Sequence, residues 1–167
     1  ARASGEPWSE ALLAAIGPDT GLVACPGVHW IDGGRIDLEA VGQAARAHGA
    51  ALVVDLTQSL GVMAFDAGAV DPDFAVAACY KWMLGPYALG FLYAAPRHHG
   101  GAPLEENWIN RAGSEDFTRL TEYQDGYQPG ARRFDMGERS SHQLVPAALA
   151  ALEVLDQIGA DRIEAHC

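Results

Sequence analysis

Cysteine is scarce in this 167-residue chain: Cys25, Cys79 and Cys167 are odd in number and scattered. That excludes a disulfide framework and any metal site built on paired cysteines, and it suits a reducing cytoplasm. Basic residues are few as well, 11 Lys and Arg against 22 Asp and Glu, giving a net charge of −11. A surface of that sign repels nucleic acid, which argues against a phosphate-backbone binder. No apolar run approaches the roughly 20 residues needed to cross a bilayer. The opening "ARASGEPWSE" has neither the basic start nor the apolar centre of a signal peptide. Internal repeats and low-complexity tracts are absent. The glycines of "IDGGR" follow neither G-x-G-x-x-G nor Walker spacing and read as a plain turn. The pair His98-His99 in "PRHHGG" has no carboxylate or cysteine spacing beside it and reads as a solvated loop.

What the chain does contain is apolar substance in short pieces. Hydrophobic residues make up 49% and charged residues 20%, enough for one globular domain with a core. Helical spacing runs from Trp8 to Ile16 and stops at Gly17-Pro18. A short buried strand follows at 21–25, then a second helix from an N-cap at about Asp37 to Ala47, closed by His48-Gly49. Further strand-like runs lie at 50–55, 74–79 and 90–95. A final helix, "LVPAALAALEVLDQIG", puts Leu144, Ala148, Leu152 and Leu155 on one stripe. Strands alternating with helices imply an α/β sheet covered on both faces. Between the third and fourth strands only about a dozen residues remain, punctuated by Gly85, Pro86 and Gly90. That is too short for an ordinary crossover, so the fourth strand is expected to run antiparallel in a mixed sheet.

In such a sheet ligands bind beyond the carboxyl ends of the parallel strands. "VVDLTQSLG" (53–61) places Asp55 at one such end, and "ACYKWMLGP" (78–86) places Lys81 just past another. The pair reads either as an ion pair or as a pyridoxal phosphate site. In the second case the lysine amine forms a Schiff base with the aldehyde, and the aspartate keeps the pyridine nitrogen protonated. A desolvated pocket would lower the lysine pKa and free the amine as nucleophile and base.

The D-x-x-Q pattern at Asp55 and Gln58, the 26-position step to Lys81, and the G-P-x-x-x-G-F-L-Y tail from Gly85 occur together. With them the chain resembles the middle of a class V aminotransferase-fold enzyme of the aspartate-aminotransferase-like superfamily. The resemblance implies a three-layer, mostly parallel mixed sheet and the cofactor pyridoxal 5'-phosphate. It implies that Lys81 carries the Schiff base, that Asp55 meets the pyridine nitrogen, and that Gln58 bonds the ring hydroxyl or the Schiff-base region. Tyr80 would reach the phosphate, and His29, with Trp30, would stand near the ring and substrate. Ala78 departs from the family, which often has a phosphate-binding serine there. "ARRFDMGERSSHQ" resembles the family's R-F-E-x-G-T segment, with Glu138 in place of threonine, so that contact would pass to Arg139, Ser140 or Ser141. The long polar stretch from Glu105 to Gly130 reads as a lid or dimer contact, with Trp108 and Arg111 as candidates for the site mouth.

The same resemblance makes residues 1–167 part of a cofactor-binding large domain. The N-terminal phosphate turn and a C-terminal small domain are expected outside it, since no initial Met is present and "DRIEAHC" ends within a helix. The expected substrate is a small-molecule amino acid, with no nucleic acid or membrane partner, in a cytoplasmic homodimer. Members of this class include kynureninases, cysteine desulfurases and epimerases. The Tyr80-Lys81 pair leans toward the kynureninase or epimerase branch. A non-catalytic association module on the same fold is the alternative, and it would have no use for Asp55, Gln58 and Lys81 together.

Overall fold

The computed structural model describes residues 5–167, so the first residues of the N-terminal stretch considered above lie outside the described part. Helix α1 (Trp8–Ala15) leads to strand β1 (Leu22–Pro26), helix α2 (Leu38–Ala47) and strand β2 (Ala51–Asp55). A single helical turn, α3 (Ala67–Val70), precedes β3 (Phe74–Ala78), which is followed by β4 (Gly90–Ala94). Four short 3₁₀ segments then lead to α4 (Leu144–Ile158) and α5 (Ala160–His166). The Asp37 side chain caps α2 by accepting from the Ala40 N–H at 3.0 Å, satisfying one of the orphan donors of the first turn.

The sheet order is β1-β2-β3-β4, with β1, β2 and β3 parallel and β4 antiparallel to β3. The short, glycine-punctuated link after β3 therefore reverses the chain, as its length requires. Register places Cys25 beside Val54 and Val54 beside Ala75, so alternate residues form one continuous face. That face, Val23, Cys25, Leu52, Val54, Ala75 and Ala77, is buried against Val41 and Ala45 of α2 and Ala148 of α4. Leu12 and Leu13 of α1, with Leu152 and Leu155 of α4, complete the packing. Each fully buried side chain of this kind contributes about 1.5–3 kcal/mol relative to exposure.

The opposite face is different. Leu22 and Val76 are exposed on it, while its Phe74 end is covered by the stacked His98 ring at 4.9 Å and by Phe134, edge to face, at 5.8 Å. This chain thus supplies two layers and leaves one sheet face open. Residues 95–143 run as turns and 3₁₀ segments and lay no α-helix over that face. The "PRHHGG" segment is also tied down more than a solvated loop would be. His98 Nε2 lies 2.5 Å from Asp73 Oδ1, and His99 Nε2 lies 3.0 Å from the Ala94 carbonyl. "IDGGR" is a turn, closed by the antiparallel bridge between Val28 and Arg35.

Candidate active site

Pro26, Asp55 and Val76 stand in register at the carboxyl ends of the three parallel strands, so the loops that follow converge at one edge of the sheet. There a cavity of about 310 Å³ brings together Asp55, Gln58, Tyr80 and Lys81. Thr57 and Ala78 join them, and Pro26, Val28 and Trp30 form the β1 side. The volume is within the range of small-molecule sites.

Asp55 is exposed at the end of β2, and its Oδ1 accepts the Thr57 N–H at 2.8 Å in an Asx-type turn. Among the described residues that is the carboxylate's only hydrogen bond, and it forms no ion pair. Lys81 is half-buried, and among the described residues its amine has neither hydrogen bond nor ion pair. Its Nζ lies 5.7 Å from the centroid of the Tyr80 ring. Tyr80 is held by stacking on Tyr87, centroids 4.4 Å apart and 13° between planes. The acid and the amine face one cavity without neutralising each other, which the ion-pair reading of the sequence does not accommodate.

The turn carrying Lys81 is tightly built. Leu84 N–H donates to the Lys81 carbonyl at 3.0 Å and Gly85 N–H to the Cys79 carbonyl at 2.9 Å, with Leu84 in the left-handed region at φ 56°. Cys79 is fully buried beneath it, and burial raises its thiol pKa.

His29 is not part of the cavity lining. Its Nδ1 lies 3.0 Å from Asp32 Oδ1, and its ring stacks on Trp8 at 4.1 Å. Asp32 also accepts from the Gly34 N–H and the Trp8 indole N–H, and these bonds lower its pKa to about 2. Val28 and Trp30 line the cavity, while His29 is drawn to Asp32 and Trp8 in the turn that follows β1. Trp108 and Arg111 line a separate, much smaller pocket of about 30 Å³ with Tyr123. Arg111 is engaged there by Glu106 at 2.8 Å and by the Tyr127 ring at 4.5 Å. Arg139 pairs with Asp135, and Ser141 Oγ accepts the Leu144 N–H at 3.0 Å at the start of α4. Thr57, Tyr87 and Val28 went unread in the sequence. One signal was available for the site as a whole: Lys81 is the only lysine in the chain, all other cationic side chains being arginine.

The donor set fits pyridoxal phosphate at its ring end. It offers a carboxylate without a cation, an amine without an anion, and neutral donors in Gln58, Tyr80 and Thr57. Among the described lining residues a phosphate would meet no arginine, so its contacts there come from neutral groups and Lys81.

Comparison with known proteins agrees with this geometry. The family model described as Aminotransferase class-V matches residues 1–167. A kynureninase of Deinococcus radiodurans is 37% identical over 142 residues, covering 84% of this chain and 33% of the relative. The uncharacterized aminotransferase YcbU of Bacillus subtilis is 31% identical over 152 residues, covering 90% and 39%. Among solved structures, a C-DES mutant with glycine covalently linked to its PLP cofactor superposes with a TM-score of 0.81 at 25% identity, over 97% of this chain and 42% of that one. An apo cysteine desulfurase from Thermococcus onnurineus NA1, at 24% identity and a TM-score of 0.69, shares the fold over 96% of this chain and 38% of that one. The chain spans about a third of the length of the curated relatives it matches. The full-length match of the family model, over a cavity with the expected acid and lysine, shows that the chain belongs to the class V aminotransferase family.

Proposed function

We propose that the cavity at the strand ends is the cofactor floor of a pyridoxal phosphate enzyme acting on an amino acid through Lys81. The observation that carries this reading is the unpaired state of Asp55 and Lys81 on one cavity. A carboxylate and an amine left together without an ion pair are accounted for by a third body that bonds to both.

Bound there, pyridoxal phosphate supplies an electron sink for a bond at the substrate's α-carbon. Asp55 would face the ring nitrogen and hold its proton. Lys81 would hold the cofactor through its amine and would serve as the general base beside the substrate's α-carbon. Gln58 bonds the ring hydroxyl side, and Tyr80, braced by Tyr87, donates its hydroxyl toward the phosphate. His29 acts from outside the cavity by packing the β1 loop that carries Trp30. Tyr80 directly before Lys81, together with the identity to kynureninases, supports a kynureninase-like reaction over a desulfurase-like one.

The same reading makes this chain the central part of the cofactor domain of a longer polypeptide that works as a cytoplasmic homodimer. The open sheet face at Leu22 and Val76 and the exposed apolar residues of α4, Val145 and Leu149 on one side and Val154 and Ile158 on the other, support burial against further protein. Cys25, Cys79 and Cys167 are free thiols, as suits a reducing compartment. None of the helices of the described residues is long and apolar enough to cross a membrane.

The test is an absorption spectrum of the complete polypeptide with added pyridoxal phosphate, followed by borohydride reduction and peptide mapping. A visible band, with the reduced label on Lys81 and none in Lys81→Ala, is the expected result. A band with the label elsewhere, or no band at all, would overturn the reading.

A further inference from the structure

Strand β3 continues past the end of β2, and that leaves one main-chain donor to be satisfied. In the β3–β4 pair Ala95 N–H bonds the Asp73 carbonyl and Cys79 N–H the Leu89 carbonyl, each at 2.9 Å, so the intervening Phe74, Val76 and Ala78 turn their N–H groups toward β2. The β2–β3 register ends at Asp55 and Val76, and Leu56 N–H donates to the Val76 carbonyl at 2.7 Å. The next acceptor in a parallel ladder is the Leu56 carbonyl, but the chain has turned away. That carbonyl accepts instead from Ser59 N–H at 2.9 Å and Leu60 N–H at 2.8 Å. Ala78 N–H is taken up by a side chain, Thr57 Oγ1, at 3.0 Å.

Thr57 therefore has two separate attachments. Its own N–H fixes the Asp55 carboxylate, and its hydroxyl oxygen holds the strand end three residues before Lys81. A second contact between the same two loops lies just beyond the lysine. Gly61, at φ 101°, lies so close to Trp82 that an added Cβ would sit 2.8 Å from the Trp82 carbonyl oxygen. Lys81 is thus bracketed by two fastenings to the loop that begins at Asp55.

We infer that Thr57 is a positioning residue of the site: it sets the placement of the Asp55 carboxylate relative to the turn bearing Lys81. The inference rests on the reading that both residues serve one cofactor. Thr57→Val keeps the shape and removes the acceptor, leaving the Ala78 N–H without a partner, whereas Thr57→Ser keeps the acceptor.

The experiment uses the complete polypeptide as wild type, Thr57→Val, Thr57→Ser and Thr57→Ala. It measures pyridoxal phosphate Kd, the pH midpoint of the visible band, and amide hydrogen exchange at Ala78 in the cofactor-free protein. Thr57→Val and Thr57→Ala are expected to raise Kd roughly tenfold or more, to move the midpoint, and to speed Ala78 exchange. Thr57→Ser is expected to restore all three. Thr57→Ala adds no bulk and carries the comparison if Thr57→Val fails to fold. Wild-type Kd and midpoint in both acceptor-free variants, with wild type labelled at Lys81, would overturn the positioning role alone. Absence of label at Lys81 in wild type would overturn the cofactor reading and this role with it, whatever the exchange at Ala78 does.

Discussion

Gly85 is the tightest position in the turn that carries Lys81, and its replacement by alanine gives a worked prediction. A Cβ there would sit 2.0 Å from Cys79 Sγ, against 3.4–4 Å for ordinary contact. Gly85 shows no positive φ, so its main chain accepts alanine and the conflict is purely steric. Cys79 has nowhere to retreat: it is fully buried, and its N–H and carbonyl are held by Leu89 and Gly85 at 2.9 Å. Overpacking of this kind costs about 1–3 kcal/mol, and the confinement puts Gly85→Ala at the upper end, about 3 kcal/mol. For a domain of this size each kcal/mol lowers Tm by about 2–4 °C, so the drop is about 6–12 °C.

Cys79→Ala alone removes one buried sulfur and costs about 1 kcal/mol. It also removes the clash, leaving the Cys79 Cβ and carbonyl oxygen each at 3.2 Å from the new methyl. The double variant should therefore be more stable than Gly85→Ala alone, with a coupling of about 2 kcal/mol. Denaturation of the four proteins measures this directly, and the visible cofactor band should weaken and recover in the same order. Additivity within about 0.5 kcal/mol would refute the steric argument.

Asp73 gives a pH-dependent prediction. Burial pushes its carboxyl up, but hydrogen bonds from Arg97, His98 and the Leu52 N–H outweigh this and hold it well below the ordinary carboxylate value. A depressed folded-state pKa means the stabilisation is present above the unfolded value near pH 4 and fades as pH falls below it. Asp73→Asn should cost about 1–3 kcal/mol at neutral pH and flatten the acid limb; an unchanged limb would show that other carboxylates govern it. The thiols give another: burial pushes Cys25 up to about 11 and raises Cys79 as well, while Cys167 is exposed. At pH 8 only about one Cys25 in a thousand is thiolate, so a disulfide reagent should titrate Cys167 quickly and the other two only on unfolding. Comparable rates for all three would contradict the packing.

Much of this fold is written in short-range signals. The Asp37 cap, the one-turn helix before β3 and the reversal of β4 follow from capping chemistry, glycine placement and the length of chain available. The D-x-x-Q run and Lys81 were legible because their spacing survives without knowledge of register. Thr57 was not, because its role depends on β3 outrunning β2 by a residue or two, which no local pattern encodes. Tyr87 stood in a stretch already singled out, yet its stacking on Tyr80 depends on the path of the turn between them. His29 lies outside the cavity lining because its ring is held in the turn after β1 by Asp32 and Trp8, and the Trp8 contact spans 21 residues, which no local pattern encodes. The loop from Glu105 to Gly130 offered polar residues but no period, and its Arg111 and Arg119 are engaged within the loop.

The acids of the described chain supply their own control for the reading of Asp55. Asp73 accepts from a main-chain N–H, an arginine and a histidine, and Asp71 from Arg46 and Arg97. Asp32 accepts from Trp8, Gly34 and His29, and Asp37 and Asp66 cap helices. An acid that serves the architecture here gathers several donors or closes a helix end. Asp55 does neither: one Asx-turn N–H, no cation, and a position at a strand end beside the chain's only lysine. Lys81 shows the same contrast with Arg35, Arg46, Arg97, Arg111, Arg119 and Arg139, each paired with a carboxylate. The loops that carry the two are held together at Thr57 and Gly61 without an ion pair between them. An acid and an amine that face one cavity without pairing with each other support the proposal that both serve a ligand.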